Sequence, residues 1–469
     1  MNEKIKNELS EIEFILDKIK NQGVAYLQSL EDRPTSSHHH VVMNTKLADQ
    51  GIGTQKTLEY FNQKFEPLMV ASSGPKYWGF VTGGTTPAAI AGDWLTTIYD
   101  QNSFKTNPPG DVSAHIELET IQLLLDLFGL PSDYLGGFVT GATLSNFTSL
   151  AVARQWLGTE IGVDFAKEGL SQKLNVLSAT PHSSALKALS LLGIGSANII
   201  PIKTNQGNRE SLDLVDFEKQ IIALEGAPFI LVSSAGTVNT VDFDDFEEIS
   251  QLKKKHSFWW HIDAAFGGFA ACSKAHQHLT KGWGHADSIT IDCHKWLNVP
   301  YESAVFFIKE TYYALQLETF QNSNAPYLDN KSGQFDFLNA LPENSRRLKA
   351  LPVWFSLMAY GKAGIEQIVD NSIQLAQYFG SLLEGHEAFE LLAPIRLNTV
   401  CFTLSNPHSE ARVFTFLSVL NDTNEVFMSA TFYNGKRGIR AAFVNWRTTQ
   451  KDVDRVYQLM TMVIAGISK

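Results

Sequence analysis

Short apolar runs and amphipathic segments alternate through the middle of the chain, from about residue 130 to about residue 310. The runs are rich in β-branched and aromatic residues, and the segments between them have helical periodicity. Continuous apolar strands of this kind are typical of a parallel sheet that is buried on both faces. The pattern therefore predicts an α/β fold with a mostly parallel central sheet flanked by helices. The strand-like runs lie at 174–177, 199–202, 229–232, 258–263, 289–291 and 304–308.

The pattern changes after residue 345, where a long helical stretch from Leu351 to about Leu383 begins a different arrangement. It is followed by a strand-like run at 399–404, a helical stretch near 409–421, further strand-like runs and a final helix at about 450–467. This order predicts an α+β unit that is distinct from the parallel sheet. We expect three parts: an N-terminal helical segment at 1–80, a large α/β domain at 81–350 and a small C-terminal α+β domain at 351–469.

The N-terminal segment carries an apolar stripe with alternating steps of four and three residues, which predicts one face of an amphipathic helix. We expect the stripe to dock on its own domain or on a partner subunit. A coiled-coil dimer arm is less favoured because the heptads are not sustained. The stripe consists of Ile5, Leu9, Ile12, Leu16 and Ile19.

The stretch between about residues 70 and 115 is rich in glycine, proline, threonine and aromatic residues. Such a composition predicts irregular backbone, and irregular segments often line binding sites. A purely structural loop explains the same composition equally well.

Composition and charge narrow the possible partners and compartments. The chain has 49 acidic and 38 basic side chains among 469 residues, and the formal charge of −11 argues against a nucleic-acid partner. Its three cysteines have no paired spacing, which indicates neither a disulfide framework nor a zinc site. No apolar run approaches the roughly 20 residues of a membrane span, so we expect a cytoplasmic protein. The tract at 38–40 holds three adjacent histidines, and a polar loop explains it better than a metal site.

Two charged residues at the ends of strand-like runs suggest the chemistry. Lys295 follows the apolar run at 289–291, and Asp263 ends the apolar and aromatic run at 258–263. Pyridoxal 5′-phosphate (PLP) needs a lysine that forms an imine and an acid that pairs with its ring nitrogen. Ala265, two residues after the acid, is small enough for a flat ring to lie against the backbone. Taken singly, a solvated lysine and a structural aspartate explain these residues as well.

A phosphate site and a ring-stacking histidine are also expected at this edge of the sheet. The turn Gly141-Ala142-Thr143 lies between a strand-like and a helical segment, and a helix N-terminus offers free N–H groups to an anion. His182 follows the strand-like run at 174–177, from which its imidazole could stack on a cofactor ring. Each feature also occurs in proteins that bind no cofactor.

Together these residues resemble the group II pyridoxal-dependent amino-acid decarboxylases, which include the aromatic-L-amino-acid, histidine and glutamate decarboxylases. The resemblance covers nearly the whole chain. Its core markers appear in this order: Glu117-Leu118-Glu119, Thr140-Gly141-Ala142-Thr143, His182-Ser183-Ser184, Ala235-Gly236-Thr237, His261-Ile262-Asp263-Ala264-Ala265, His294-Lys295-Trp296 and Ser345-Arg346-Arg347.

The resemblance implies a PLP-dependent transferase fold of type I and a homodimer with sites at the subunit interface. It implies that Lys295 forms the internal aldimine with PLP, that Asp263 pairs with the pyridine nitrogen and that His182 stacks on the ring. In the same way, the positions of Ala142 and Thr143 would bind the phosphate. Thr237 would contact the site near the aspartate, and His294 would contribute beside the lysine.

The reaction implied by the resemblance is decarboxylation of an L-amino acid. Tyr327, in the run Asn324-Ala325-Pro326-Tyr327-Leu328, resembles the family's mobile-loop tyrosine and is the candidate proton donor, although a packed loop aromatic is the alternative. A PLP-dependent aminotransferase remains open, with Arg440 or Arg447 as the carboxylate clamp. A non-catalytic scaffold is a third possibility, against which the presence of Lys295, Asp263 and His182 argues.

The sequence indicates the substrate less clearly than the cofactor or the fold. Trp78, Phe80 and Thr82, beside Tyr77, are candidate pocket residues and favour an aromatic L-amino acid. Lys76 or Arg346 could instead suit an acidic substrate, and a diamino acid also stays open.

Overall fold

The computed structural model describes residues 3–38, 43–104, 111–321, 335–405 and 409–467. Its strands form a seven-stranded sheet and a four-stranded sheet. The strands are β1 Tyr134–Val139, β2 Asn175–Ser178, β3 Ile199–Pro201, β4 Phe229–Ser234, β5 Trp259–Asp263, β6 Ser288–Ile291, β7 Ala304–Lys309, β8 Phe389–Leu391, β9 Thr399–Leu404, β10 Ser429–Tyr433 and β11 Lys436–Ala442. The α-helices are α1 Glu3–Ser10, α2 Ile12–Gln28, α3 Thr54–Lys64, α4 Pro87–Tyr99, α5 Ser113–Phe128, α6 Ala142–Ile161, α7 Phe165–Glu168, α8 Ser183–Leu191, α9 Leu214–Ala223, α10 Phe246–Lys255, α11 Cys293–Trp296, α12 Tyr313–Phe320, α13 Phe337–Ala340, α14 Ala350–Glu384, α15 Glu410–Asp422 and α16 Gln450–Ile467.

The large sheet has the strand order β1-β7-β6-β5-β4-β2-β3. All its strands run parallel except β7, which is antiparallel to both β1 and β6. This arrangement confirms the predicted α/β fold with a mostly parallel central sheet. It also brings the carboxyl ends of β4, β5 and β6 to one edge, because parallel neighbours end on the same side.

Side chains of β5 alternate between two apolar layers, as the pleat of a strand requires. Trp260 and Ile262 belong to the layer on one face of the sheet, and Trp259 belongs to the layer on the other. His261 and Asp263 share the face of Trp259 by the same two-residue period, and α6 packs there. Burial of every residue of β5 explains why the run is almost continuously apolar.

The C-terminal unit contains an antiparallel sheet of order β10-β11-β9-β8, packed against the second half of α14, α15 and α16. It confirms the predicted smaller α+β unit. Strand β8 was not predicted, because its three residues are too short to give a pattern. The residue bounds proposed for the three domains stay predictions.

Two expectations about helices need correction. The predicted helix from Leu351 is broken at Gly361, whose φ of 58° and ψ of −174° are non-helical and accessible to glycine. The segment expected to be irregular contains α4. Thr86 caps that helix by accepting a hydrogen bond from the Ala89 N–H. Pro87 is the first residue of the helix, where a backbone N–H would have no partner within the helix, so the missing N–H of proline costs no hydrogen bond.

The N-terminal apolar stripe forms helices α1 and α2, as its spacing predicts, with a break at Glu11. Its apolar side chains are exposed, with Leu9 at 71% and Leu16 at 46%. The described chain therefore does not cover the stripe, and of the predicted docking on its own domain or on a partner subunit only the second alternative stays a prediction. Within the described ranges, none of the helices is both long and apolar enough to cross a bilayer.

Candidate active site

Lys295 lies on α11, a single turn of helix that begins two residues after the end of β6. Its Nζ atom lies 2.7 Å from Oδ2 of Asp292, whose side chain is only 3% exposed. The other oxygen of Asp292 is buried and has no hydrogen-bond partner in the described part of the chain. The lysine side chain itself is 16% exposed and lines a cavity. The structure therefore holds an amine and a carboxylate together at the edge of the sheet.

Asp263 ends the neighbouring strand β5 and is buried. Its carboxylate accepts hydrogen bonds from Asn146 Nδ2 at 3.0 Å and from the Ala265 N–H at 3.2 Å, and Ser184 Oγ lies 3.5 Å from it. These described partners are all neutral donors. They stabilise a negative charge on the carboxylate by hydrogen bonding, but they do not neutralise it. A protonated ring nitrogen in the cavity would supply the missing cation. The donor set of this site therefore fits PLP.

His182 caps the N-terminus of α8 with its side chain. Its Nδ1 atom accepts a hydrogen bond from the Ser184 N–H at 3.2 Å and lies 2.8 Å from Ser184 Oγ. Burial lowers the pKa of His182, against the opposing effect of the Asp263 charge. The imidazole is therefore neutral at pH 7, with its proton on Nε2. An uncharged ring facing the cavity suits stacking on a flat cofactor.

The N-terminus of α6 is the candidate site for an anion. No side chain caps this helix, because the residue before it is Gly141, and Thr143 in its first turn is half-buried. A Cβ atom on Gly141 would lie 3.6 Å from Cε1 of His294, so the imidazole stands beside the helix end. His294 Nδ1 accepts a hydrogen bond from the Ser303 N–H at 3.2 Å, and burial lowers the pKa of His294. The free N–H groups of Ala142 and Thr143 together with this imidazole can hold a phosphate.

The cavity at this edge has a volume of about 530 Å³. It gathers most of the cofactor residues that the sequence predicts, although these are spread over more than 100 positions. Ala142, Thr143 and His294 are not among the residues that line it. The predicted residues that do line it are Phe80, His182, Thr237, Asp263, Ala265 and Lys295.

Trp78 and Thr82, which were expected in the substrate pocket, lie elsewhere. Trp78 is 1% exposed and packs against Phe379 and Phe443 in the core of the C-terminal unit. Its indole N–H donates to the Pro75 carbonyl at 2.9 Å, so no part of the side chain is free for a ligand. Thr82 is buried just beyond the lining residue Val81.

The backbone that carries Phe80 is strained. Phe80 and Val81 both have a φ of 57°, a conformation that is rare for a bulky residue and more so for a β-branched one. Gly83 then approaches α11 so closely that a Cβ atom there would lie 1.9 Å from the Lys295 carbonyl oxygen. This segment therefore forms one wall of the cavity and packs directly on the backbone of the lysine. Strain of this kind is typical of functional sites.

Lys76 and Arg346, which were expected to suit an acidic substrate, form ion pairs with other residues of the chain, so that expectation is corrected. Arg346 forms a buried ion pair with Glu117, with side-chain exposures of 1% and 0%. Lys76 is paired with Glu425 at 3.1 Å. Their partners were invisible in the sequence, because each lies more than 200 residues away.

Of the two arginines considered as a carboxylate clamp, Arg440 lines the cavity, while Arg447 lies outside it against the Trp446 ring. Arg440 Nη1 donates to the Val238 carbonyl at 3.0 Å, and its buried Nε has no described partner. Glu210 also lines the cavity and was not predicted. Its Oε2 accepts hydrogen bonds from Thr237 Oγ1 at 2.6 Å and from Thr240 Oγ1 at 2.7 Å.

Asn146 and Ser184 are further site residues that the sequence reasoning missed. The available signal was spacing: Asn146 follows Ala142 by four positions and so shares its helix face. Tyr327, the predicted proton donor, lies outside the described residues.

Residues 37–405 match the family model described as the pyridoxal-dependent decarboxylase conserved domain. Among curated proteins, the chain is similar to an aromatic-L-amino-acid decarboxylase of Bacillus atrophaeus, with 26% identity over 466 residues, 95% of this chain and 94% of that protein. It is also similar to tryptophan decarboxylase 2 of Oryza sativa subsp. japonica, with 27% identity over 418 residues, 85% of this chain and 82% of the other.

Solved structures share the fold. The structure of Oryza sativa TDC with PLP and tryptamine has a TM-score of 0.90 at 21% identity and covers 98% of this chain and 99% of that one. The structure of mouse CSAD matches with a TM-score of 0.85 at 21% identity, and the match covers 96% of this chain and 98% of the mouse chain.

Proposed function

The chain belongs to the pyridoxal-dependent decarboxylase family and is a PLP-dependent amino-acid decarboxylase, and we propose that it converts an aromatic L-amino acid to the amine and CO2. The observation that carries this proposal is the apolar wall of the cavity, formed by Phe80, Val81 and Phe266 beside Lys295. An aromatic side chain can pack against such a wall and exclude water from the reacting groups. The names of the similar Bacillus and rice proteins support the same substrate class.

PLP bound in this cavity would supply an electron sink for the electron pair that stays on the substrate carbon when CO2 departs. Lys295 would hold it covalently, and the Asp263 carboxylate would pair with its ring nitrogen. The N–H groups of Ala142 and Thr143 would bind its phosphate beside His294.

The protein's own groups then divide the remaining tasks. Asp292, 2.7 Å from Lys295 Nζ, accepts a proton from the amine when the amine must be neutral and returns it afterwards. The neutral imidazole of His182 and the small side chain of Ala265 would hold the cofactor ring between them, and Thr237 would lie near Asp263. Tyr327 is the proposed proton donor to the substrate carbon.

Arg440 supports a second candidate, decarboxylation of an acidic L-amino acid. Its buried Nε atom has no described partner, and it faces a cavity that could hold a carboxylate. Glu210 lies close enough to act electrostatically on Arg440 and offsets part of its charge, which is why we place this candidate second.

We further propose that a second copy of the chain covers the N-terminal apolar stripe. Helices α1 and α2 expose all five apolar side chains of the stripe, which a chain in isolation would leave in water. A twofold homodimer buries the same patch on both copies and needs no other partner. The exposed stripe residues are Ile5, Leu9, Ile12, Leu16 and Ile19.

The substrate is tested by CO2 release from each of the common amino acids and from L-dopa, 5-hydroxytryptophan and 2,4-diaminobutyrate. We expect release with aromatic substrates and the amine as the second product. Release from glutamate or aspartate alone would favour the second candidate, and formation of keto acids would favour an aminotransferase. Release from none of them would refute the proposed reaction.

Lys295→Ala is the matched control for that screen. We expect this variant to lose both CO2 release and the absorbance of covalently bound PLP near ~420 nm. Retention of the absorbance band would show that another group holds the cofactor.

A further inference from the structure

A chain of buried hydrogen bonds leads from the interior of the large sheet to Asp263. Trp259 Nε1 donates to Ser288 Oγ at 2.9 Å, and Ser288 Oγ lies 2.8 Å from His261 Nδ1. His261 Nε2 lies 2.9 Å from Asn146 Oδ1, and Asn146 Nδ2 donates to Asp263 Oδ2 at 3.0 Å. The contacts join β5, β6 and α6, so they exist only in the folded sheet.

Hydrogen-bond chemistry fixes the direction of this chain. An ionised Asp263 can only accept, so the amide nitrogen of Asn146 faces it and the amide oxygen faces His261. Burial lowers the pKa of His261 to about 4, so its ring is neutral and carries one proton. That proton must lie on Nε2, because an amide oxygen accepts. Nδ1 of His261 is then an acceptor and receives the hydroxyl proton of Ser288.

No water competes with these bonds, because Asn146, His261 and Ser288 are each 0% exposed. A buried polar group without a partner is costly, so each member of the chain holds the next in a single orientation. If the histidine took its other tautomer, Asn146 would have to turn its oxygen towards the Asp263 carboxylate.

We propose that Asn146 and His261 are positioning residues that hold Asp263 as an ionised acceptor facing the ring nitrogen of PLP, and that Ser288 selects the histidine tautomer this requires. The inference rests on PLP as the cofactor but not on the identity of the substrate. Its consequence lies in cofactor binding, since a ring nitrogen stays protonated only against a fixed negative charge.

The experiment compares Asn146→Ala and Ser288→Ala with the wild type after removal and re-addition of cofactor. The dissociation constant is measured for PLP and for its 1-deaza analogue, which lacks the ring nitrogen. For PLP we expect the dissociation constant to rise at least roughly tenfold in Asn146→Ala and at least about threefold in Ser288→Ala. With the 1-deaza analogue we expect both variants to bind within about twofold of the wild type, because the nitrogen is the group that Asp263 recognises.

Ser233→Ala is the matched structural control. Ser233 is 1% exposed, lies on β4 and accepts the indole N–H of Trp260 at 2.8 Å, as Ser288 accepts that of Trp259. Apart from this indole, its hydroxyl has one hydrogen-bond partner among the described residues, the backbone carbonyl of His261 at 3.4 Å, and it does not bond to the imidazole ring. We expect this variant to bind PLP like the wild type.

Three results would overturn the inference. One is unchanged PLP affinity in Asn146→Ala, and another is an equal loss for PLP and the 1-deaza analogue in the variants. The third is an equal loss in Ser233→Ala and Ser288→Ala. In an Asp263→Asn background, Asn146→Ala should cause no further loss, since the two residues act as one unit. Failure of the substrate screen would leave all these binding measurements unaffected.

Discussion

His261 is a titratable residue at the centre of the large sheet, and its position decides its charge. It is completely buried, and burial lowers its pKa to about 4. The same burial makes it useful, because a neutral ring of fixed tautomer can orient Asn146 without adding charge beside Asp263. At the scale of single residues, the function of the site therefore depends on side chains that never touch a ligand.

This burial predicts acid sensitivity. Well above the ordinary histidine pKa of about 6.5, His261 is neutral in both the folded and the unfolded chain, so its contribution to stability is complete. As the pH falls towards 4 the unfolded chain binds the proton first, and the free energy of unfolding drops by about 3 kcal/mol. Urea denaturation of the wild type and His261→Gln at several pH values measures this. The variant should have the shallower pH dependence between 4 and 6.5, and parallel curves would contradict the assignment.

At the scale of elements, the site depends on how closely segments approach one another. The strained segment at residues 80–84 packs on α11, and α5 is fixed to the segment before α14 by the Glu117–Arg346 ion pair. Glu117 also accepts the Phe138 N–H at 2.8 Å, which ties the end of β1 to the same carboxylate. These contacts place the N-terminus of α6 and the lysine turn at the same edge.

Gly83→Ala should displace the lysine turn. The added methyl group would meet the Lys295 carbonyl oxygen, a backbone atom that cannot rotate away, and overpacking of this kind costs about 1–3 kcal/mol. We expect a lower melting temperature and weaker PLP binding. Gly466→Ala is the control, because nothing in the described part of the chain lies within 4 Å of a Cβ atom there. Wild-type PLP affinity in Gly83→Ala would contradict the close approach.

Glu117→Gln should destabilise the fold strongly. It would leave the buried Arg346 guanidinium without its carboxylate, and breaking a buried pair costs about 3–5 kcal/mol. The control is Asp93→Asn, which removes the partner of Arg347 in a pair with exposures of 40% and 26%. That change should cost less than about 1 kcal/mol by denaturant titration. Similar losses in both variants would show that the burial of the first pair carries no extra stability.

At the scale of the whole molecule, the apolar stripe on α1 and α2 is the surface through which we propose that two copies of the chain assemble. Leu9→Lys combined with Leu16→Lys should reduce the sedimenting mass from that of a dimer to that of a monomer, because two charges enter the buried patch. Asn7→Lys combined with Asn21→Lys adds the same charge on the opposite, exposed face and should leave the mass unchanged. A dimer that survives the first pair of changes would refute the proposed interface.

The sequence alone determined the order of the strands in the chain, the class of the fold and the residues at the strand ends. Continuous apolar runs mark β4, β5 and β6, and a charged residue at the end of such a run must lie at the sheet edge. That is why the sequence by itself groups Lys295, Asp263 and His182 at one edge of the sheet. The markers around them also sufficed to predict the decarboxylase family.

Only the tertiary structure decided which side chains are partners across the fold. Trp78 looks like a pocket aromatic in the sequence but is buried against Phe379, and Arg346 looks free until it meets Glu117. The chain of hydrogen bonds to Asp263 joins Asn146 to His261 across 115 positions. Local patterns record only the face on which a residue lies. Its partner depends on which elements pack side by side, and that is settled when the whole chain folds.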